Sequence, residues 1–242
     1  MDRPIILDEP SRLPVGGHAL SMFASDQEGA DHAASFLSGG KEPASSSFWV
    51  GEASAFEVYQ RAVERSAPRF VESLHALKGA HVEWVGTDRR ALRPIPEVLQ
   101  FLQEHPQGLS AGANTLSHFW SPTDMPAFLE YENWIQQLPH AEARLLCPYD
   151  LRRIPVASAP TVVSTLARRH DHLVLSRTQD PLLTMLELFL FRKEAEVPPS
   201  LRPALERGLE DRWVQSAPEG GFEWTARGEH FVEALARSKR WR

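Results

Sequence analysis

Hydrophobic positions along the chain alternate between short apolar runs, typical of buried strands, and the three- and four-residue spacing of amphipathic helices. The runs predict strands at 18–23, 45–50, 81–85, 143–147 and 172–176, with a glycine-containing strand and loop at 109–119. The helical spacing predicts a helix that Ser25-Asp26 caps and Gly39-Gly40 ends, one or two helices within 53–77, and helices at 95–102, 125–138, 159–168 and 182–191. Because strands and helices alternate so regularly, we expect an α/β fold with a mostly parallel sheet flanked by helices.

The two ends of the chain depart from this pattern. Residues 1–15 are rich in proline and charge and are predicted to form an N-terminal arm, so the main domain is placed at 16–196. Residues 197–242 begin with Val-Pro-Pro, which reads as a linker, and continue with helix, hairpin and helix. This order predicts a small, winged-helix-like C-terminal appendage, but one without the helix pair that would supply a recognition helix.

Composition narrows the class of protein. Of the 242 residues, 42% are hydrophobic and 24% are charged, and the net charge of −6 argues against polyanion binding by the whole chain. The last six residues nevertheless carry four positive charges. The single cysteine cannot form an internal disulfide, no apolar run reaches the roughly 20 residues of a membrane span, and the start shows no signal pattern. We expect a cytoplasmic protein without membrane contact.

Residues 145–155, LLCPYDLRRIP, form the most informative stretch of the sequence. Pro148 is expected to end the apolar strand, which would place Cys147, Tyr149 and Asp150 in the crevice beyond the carboxyl ends of the strands, where α/β proteins bind ligands. Arg152 or Arg153 could pair there with a carboxylate or a phosphate. The plainer alternatives are that Asp150 caps the next turn and that the arginines are solvated.

Three chemical functions are weighed against this ligand crevice. Nucleotide hydrolysis requires a phosphate-binding loop with a lysine, and the segment directly after strand 45–50, Gly51 to Phe56, contains none. Zinc could be bound by Cys147, His170 and His172 with Asp150, yet the sequence has no CxxC or HxxxH spacing. A nucleophilic cysteine is disfavoured because the proline after it has no N–H for an oxyanion hole. The expectation is therefore no catalysis, no metal and no cofactor.

Four stretches, in order HALSMFASDQEGADHAASFLSGG, FLEYENWI, LLCPYDLRRIP and RRHDHLVLS, resemble the MEDS family, the methanogen/methylotroph sensory domain of DcmR-type regulators. The resemblance covers about residues 16–193. It implies a RecA/KaiC-like domain, without a phosphate-binding loop, that senses small molecules. It also implies that a sensory pocket is lined or supported by His18, Cys147, Tyr149, Asp150 and His170.

The function expected from these observations is sensory or regulatory, in signal transduction or transcription regulation. The ligand is an unknown small molecule or a protein partner, and a regulatory protein partner receives the signal. Two alternatives stay open: a transcriptional regulator whose C-terminal tail binds DNA, and a ligand-free scaffold or oligomerisation protein. A homo-oligomer is also open, by analogy with RecA-like domains that assemble side by side.

Overall fold

A computed structural model describes residues 4–39, 47–51, 55–76, 82–84, 90–92, 110–113, 132–133 and 143–237. The strands are β1 (Ile5–Leu7), β2 (His18–Phe23), β3 (Ser47–Gly51), β4 (Leu74–Ala76), β5 (Val82–Trp84), β6 (Arg90–Leu92), β7 (Ser110–Ala113), β8 (Arg144–Asp150), β9 (His172–Val174), β10 (Val214–Ser216) and β11 (Phe222–Trp224). The helices are α1 (Asp26–Ser38), α2 (Phe56–Ser66), α3 (Ala159–Ala167), α4 (Pro181–Leu188), α5 (Arg202–Glu210) and α6 (Ala226–Arg237).

Seven of the described strands form one sheet in the order β1-β9-β2-β8-β7-β3-β4. Every neighbouring pair in this sheet is parallel. Helices follow strands along the chain and lie on both faces, so the predicted α/β class with a parallel, helix-flanked sheet is confirmed. Two antiparallel hairpins, β5–β6 and β10–β11, stand apart from the sheet.

The two faces of the sheet bury separate apolar clusters. Alternate residues of β2 and β8 point to opposite faces, as strand geometry requires. Ala19 and Leu146 pack with α1 and α2 on one face, whereas Leu20 and Tyr149 pack with α3 and α4 on the other. The central strands are therefore buried from both sides, which explains why β2 is hidden along its whole length.

Strand β8 continues through Pro148 to Asp150, so the prediction that Pro148 ends this strand is wrong. The N–H of Leu145 donates to the carbonyl of Gly17, on the β2 side of the strand. Because the backbone polar groups of successive residues point to alternate sides of a strand, those of residue 148 face β7. The last described pair with β7 is Leu146 with Gly112, so the missing N–H of Pro148 falls beyond that ladder. Cys147 consequently lies inside a strand and not in a turn.

The C-terminal tail shares the core of the main sheet. Its buried apolar side chains belong to the same cluster as Leu20 and Tyr149; they are Val197, Leu201, Leu205, Val214, Phe222, Trp224 and Val232. The indole N–H of Trp224 also donates to the carbonyl of Val156 at 2.9 Å. The predicted helix, hairpin and capped final helix are present, but the boundary at 196 is not a break in the core.

Other differences from the sequence-based expectations are local. The segment predicted as an arm contains β1, which pairs with β9 at the edge of the sheet. Residues 74–76, predicted to be helical, form β4. The predicted helix 95–102 lies outside the described residues, as does 125–138 apart from the helical pair Glu132–Asn133.

None of the helices that the structure describes is both long and apolar enough to cross a membrane.

Candidate functional site

His18, Cys147 and His170 meet on the α3 face of the sheet. His18 is the first residue of β2, Cys147 lies within β8, and His170 lies in the loop between α3 and β9. The Nε2 atom of His18 lies 3.3 Å from the Sγ atom of Cys147, and the rings of His18 and His170 are 4.1 Å apart between centroids. All three candidate ligand atoms lie within 4.8 Å of one another. We call this group the His-Cys-His cluster.

Hydrogen bonding fixes the orientation of His170. Its Nδ1 atom lies 2.7 Å from the carbonyl oxygen of Leu166, one turn earlier on α3. A carbonyl oxygen can only accept, so Nδ1 carries the proton and Nε2 of the neutral ring carries a lone pair. Burial lowers the pKa of His170, which favours that neutral form.

Glu132 faces the cluster from the helical pair Glu132–Asn133. Its Oε1 atom accepts a hydrogen bond of 2.6 Å from the hydroxyl of Tyr149. Its Oε2 atom lies 4.0 Å from Nε2 of His170, too far for a hydrogen bond. Oε2 of Glu132 and Nε2 of His170 are both buried, and neither has a hydrogen-bond partner among the described residues. The guanidinium of Arg169 anchors the neighbouring Asn133 at 2.6 Å.

The thiol of Cys147 is not activated as a nucleophile. Burial, with the nearby carboxylate of Glu132, raises its pKa well above the ordinary value. A nucleophilic cysteine requires the opposite shift, because the thiolate is the reactive form.

Asp150 and Arg152 do not join the cluster. In the parallel register of β2 and β8, His18 pairs with Leu145 and Phe23 pairs with Asp150. Asp150 therefore lies five positions farther along the strands than His18. That separation is roughly 16 Å at the rise of a parallel strand. The expectation of one crevice for all six predicted ligand-binding residues is therefore wrong.

The two residues instead form an ion-pair group at the carboxyl edge of the sheet. Asp150 caps the following turn by accepting from the N–H of Arg152 at 2.9 Å. The guanidinium of Arg152 contacts Asp150 and Asp26, each at 2.6 Å. The hydrogen bonds that the guanidinium donates to Asp150 raise the pKa of Arg152 further. Asp150 thus has the capping role that the plainer alternative assigned to it.

The zinc ligand set considered from the sequence is also not assembled. Cys147 and His170 are close, but His172 and Asp150 are not part of their group. His172 lies on β9, where its Nδ1 atom is buried and has no hydrogen-bond partner within the described ranges. Instead, His18 lies beside Cys147 and Glu132 lies near His170.

A cavity of about 820 Å³ opens beside His170. One wall comes from the main domain and includes Thr161, Arg168 and His170, and the other is the β10–β11 hairpin from Ala217 to Glu223. Apolar side chains and charged groups of both signs line it. We call it the hairpin cavity. A backbone hydrogen bond joins the hairpin to the loop that follows α4. The N–H of Gly221 donates to the carbonyl of Arg192 at 2.6 Å.

A second polar group surrounds the start of α1. Ser25 accepts from the N–H of Glu28 at 3.1 Å, and Glu28 in turn accepts from the N–H of Ala24 at 2.7 Å and from the hydroxyl of Ser176 at 2.9 Å. Nearby, Glu187 accepts from the N–H of Ser176, and burial raises the pKa of Glu187 to about 8. The amino end of α1 is thus closed by the chain's own carboxylate.

Sequence reasoning missed Glu132 as a site residue, although a signal for it was present. In the predicted helix 125–138, Glu132 is four residues after Phe128 and three before Ile135, so it falls within the apolar stripe. A carboxylate on the buried face of a helix requires a partner. That observation alone would have drawn attention to it.

Fold and site together define the class of protein. It is an α/β protein with a parallel sheet and a His-Cys-His cluster, beside which the carboxylate of Glu132 is buried. No protein-family model matches the chain, and neither the curated proteins nor the solved structures contain a match.

Proposed function

We propose that this chain is a non-catalytic sensory or regulatory protein, in which a small molecule in the hairpin cavity alters the packing of the C-terminal tail. The observation that carries the proposal is the lining of that cavity, because one wall belongs to the main domain and the other belongs to the hairpin. A ligand that touches both walls binds one arrangement of the hairpin better than others, and so shifts their populations. The tail then presents a changed surface to a regulatory protein partner.

The lining of the cavity indicates the kind of ligand. Phe189, Leu190 and Phe222 supply apolar surface, while Arg168 and Asp171 supply opposite charges. A small molecule with an apolar body and a few polar groups suits such a lining.

Two features favour binding without catalysis. Glu28 closes the amino end of α1, where a phosphate would otherwise be attracted by the helix dipole, and a carboxylate there repels it. The thiol of Cys147 is held in its protonated, unreactive form. Neither a phosphate-transfer centre nor an activated nucleophile is built from these groups.

We infer that the domain is RecA/KaiC-like and related to the MEDS sensory domains. The strand order of the main sheet supports this inference. Strand β2 lies between β8 and β9, the last two strands of this sheet along the chain, and not beside β3. His18, Cys147 and His170, which carry part of the resemblance, also lie together in space. The tail, with helix α5, hairpin and helix α6, is proposed to be a partial winged-helix-like unit.

A stability screen tests the ligand. The full chain is heated with a panel of small amphipathic molecules, and binding is expected to raise the melting temperature. Thr161→Trp fills part of the cavity from the exposed side of α3 and should abolish the shift, while Glu206→Trp, outside the cavity, should keep it. A panel without any hit, or equal shifts in Thr161→Trp, contradicts the proposal.

DNA binding by the tail is the second candidate function. It is favoured by the hairpin followed by α6 and by the positive charges at the chain end. Deleting residues 197–242 is not a usable test, because the tail supplies core side chains.

The matched test keeps the full chain. Lys239→Glu with Arg240→Glu should abolish salt-dependent binding to duplex DNA. The control, Arg61→Glu with Arg65→Glu, makes the same charge change on the exposed side of α2 and should retain binding. Equal loss in both double variants, or no binding by the wild-type chain, would reject this function.

A further inference from the structure

We propose that His18, Cys147, His170 and Glu132 bind one divalent transition-metal ion of the Zn²⁺ type in a closed, four-coordinate site. This inference goes beyond the proposed function, since it needs no small molecule in the hairpin cavity. It rests on three donor atoms that converge from β2, β8 and the loop before β9, and on a carboxylate oxygen of Glu132 that lies 4.0 Å from Nε2 of His170.

The distances suit a shared ion. Two ligands of one tetrahedral Zn²⁺, a nitrogen and a thiolate sulfur, stand about 3.5 Å apart, given Zn–N and Zn–S bonds of about 2.0 and 2.3 Å. Nε2 of His18 and Sγ of Cys147 are separated by 3.3 Å. The third atom of the cluster, on His170, lies within 4.8 Å of both. Side-chain shifts of about 1 Å would bring all three to bonding distance.

His170 is arranged as metal-bound histidines are. A ligating histidine donates its other ring N–H to a carbonyl or carboxylate, which fixes the tautomer and the direction of the free lone pair. Here Nδ1 donates to the carbonyl of Leu166, and Nε2 points into the cluster, where no described residue forms a hydrogen bond with it. A fully buried nitrogen that lacks a partner costs stability unless something else binds it.

Glu132 supplies the independent second observation. Its side chain is completely buried, with 0% exposed. Its Oε2 atom lies 4.0 Å from Nε2 of His170 and has no hydrogen-bond partner in the part of the chain that the structure describes. Tyr149 holds the other carboxylate oxygen, so only Oε2 is available to a ligand. A cation between Oε2 and Nε2 would satisfy both orphaned atoms at once.

The donor set selects the kind of ion. Binding of the ion would displace the thiol proton of Cys147 to solvent as the metal–sulfur bond forms. The resulting set of one thiolate, two imidazoles and one carboxylate oxygen is suited to Zn²⁺ or Co²⁺, whereas Mg²⁺ and Ca²⁺ prefer oxygen ligands. Four protein donors leave no open position for substrate, which is typical of structural zinc sites. The ion would therefore fasten the helical segment at Glu132 to the centre of the sheet.

Cobalt substitution tests the site with the metal alone. The full chain, reduced and stripped with chelator, is titrated with Co²⁺ and followed by absorption. We expect one equivalent to produce a thiolate-to-cobalt charge-transfer band with the intense visible bands of tetrahedral cobalt, and Zn²⁺ to displace it. Cys147→Ser should lose the charge-transfer band while far-ultraviolet circular dichroism shows an unchanged fold.

Two further variants separate ligation from general damage. His172→Asn changes a neighbouring buried histidine outside the cluster and should leave the cobalt spectrum and affinity unchanged. Glu132→Gln should weaken Co²⁺ binding at least 10-fold while retaining the thiolate band. No cobalt bands in the folded wild-type chain, a retained band in Cys147→Ser, a lost band in His172→Asn, or full affinity in Glu132→Gln would each overturn the assignment.

The outcome is independent of the ligand screen. Cobalt bands without any panel hit would uphold the metal site and reject the small-molecule sensor. Panel hits that survive in Cys147→Ser, with no cobalt spectrum in the wild type, would reject the metal site and uphold the sensor.

Discussion

At the scale of single residues, Arg144 shows how one buried side chain joins segments distant in sequence. Its guanidinium donates to the hydroxyl of Ser110 at 3.0 Å and to the carbonyl of Phe36 at 2.9 Å, and it lies over the Phe36 ring at 4.9 Å. The side chain thus ties β8 to β7 and to the end of α1. Burial lowers the pKa of Arg144, and the three contacts offset the cost of burying its charge.

Arg144→Met should lower the free energy of unfolding by about 2–4 kcal/mol, because Ser110 and the Phe36 carbonyl lose a charged donor inside the core. Urea denaturation measures the loss. Arg61→Met removes an exposed arginine from α2 and should change stability by less than about 0.5 kcal/mol. Equal small effects at both positions would contradict the structural role of Arg144.

Glu187 makes stability depend on pH. Its carboxyl is protonated in the folded chain at neutral pH, because burial raises its pKa to about 8 from an ordinary 4.5. A folded pKa above the unfolded one gives stability that is complete below about pH 4.5 and is lost as pH rises through about 8. The carboxylate of Glu28 raises the pKa of Glu187 further, and the hydrogen bond from the N–H of Ser176 lowers it.

We therefore expect Glu187→Gln to flatten the decline in unfolding free energy between pH 6 and pH 8, a decline of at most about 1.4 kcal/mol per pH unit. Urea titrations of both proteins across that range provide the measurement. Parallel curves would show that Glu187 does not carry the proton.

At the scale of elements, local sequence patterns predicted most boundaries of helices and strands. They failed where pairing between strands decides where a strand ends. Ser25 and Gly39 bound α1 as expected. Helix α2 ends at Ser66 because Ala67, before Pro68, cannot continue in helical geometry, and the apolar residues beyond then serve β4. The strand through Pro148 was not predictable, since it depends on where β7 stops pairing.

Gly112 is an element-scale test of that pairing. A Cβ atom at this position would collide with the ring of Trp49, a fully buried side chain on the neighbouring strand β3. Gly112→Ala should therefore destabilise the protein by about 1–3 kcal/mol, measured by thermal or urea unfolding. The exposed turn glycine Gly220 has φ of +88°, so Gly220→Asn, which tolerates that conformation, is the mild comparison. A Gly112→Ala protein as stable as wild type would refute the close packing of β3 on β7.

At the scale of the whole molecule, the sequence predicted the α/β class and much of the candidate cluster, but not the arrangement of the site. The family resemblance grouped His18 with Asp150, yet the parallel register sets them at opposite ends of β2 and β8. Glu132 joins the cluster from a segment with no local link to it. The tail looked separable because prolines mark its start, while its buried residues lie in the main core.

A chain ending at residue 196 should consequently fail to fold. It would lose Leu205, Val214, Phe222, Trp224 and Val232 from the cluster that covers the α3 face. Circular dichroism and binding of a hydrophobic dye would report the collapse. A cooperative unfolding transition in the truncated chain would restore the predicted boundary between domain and tail.

The transmission of ligand binding to the tail is tested most directly by hydrogen exchange of the full chain, with and without the compound that raises its melting temperature most. Slower exchange at Ala217–Glu223, absent in Thr161→Trp, is the predicted result, since these residues form one wall of the cavity. Protection confined to the main domain, with the hairpin amides exchanging as before, would contradict the account.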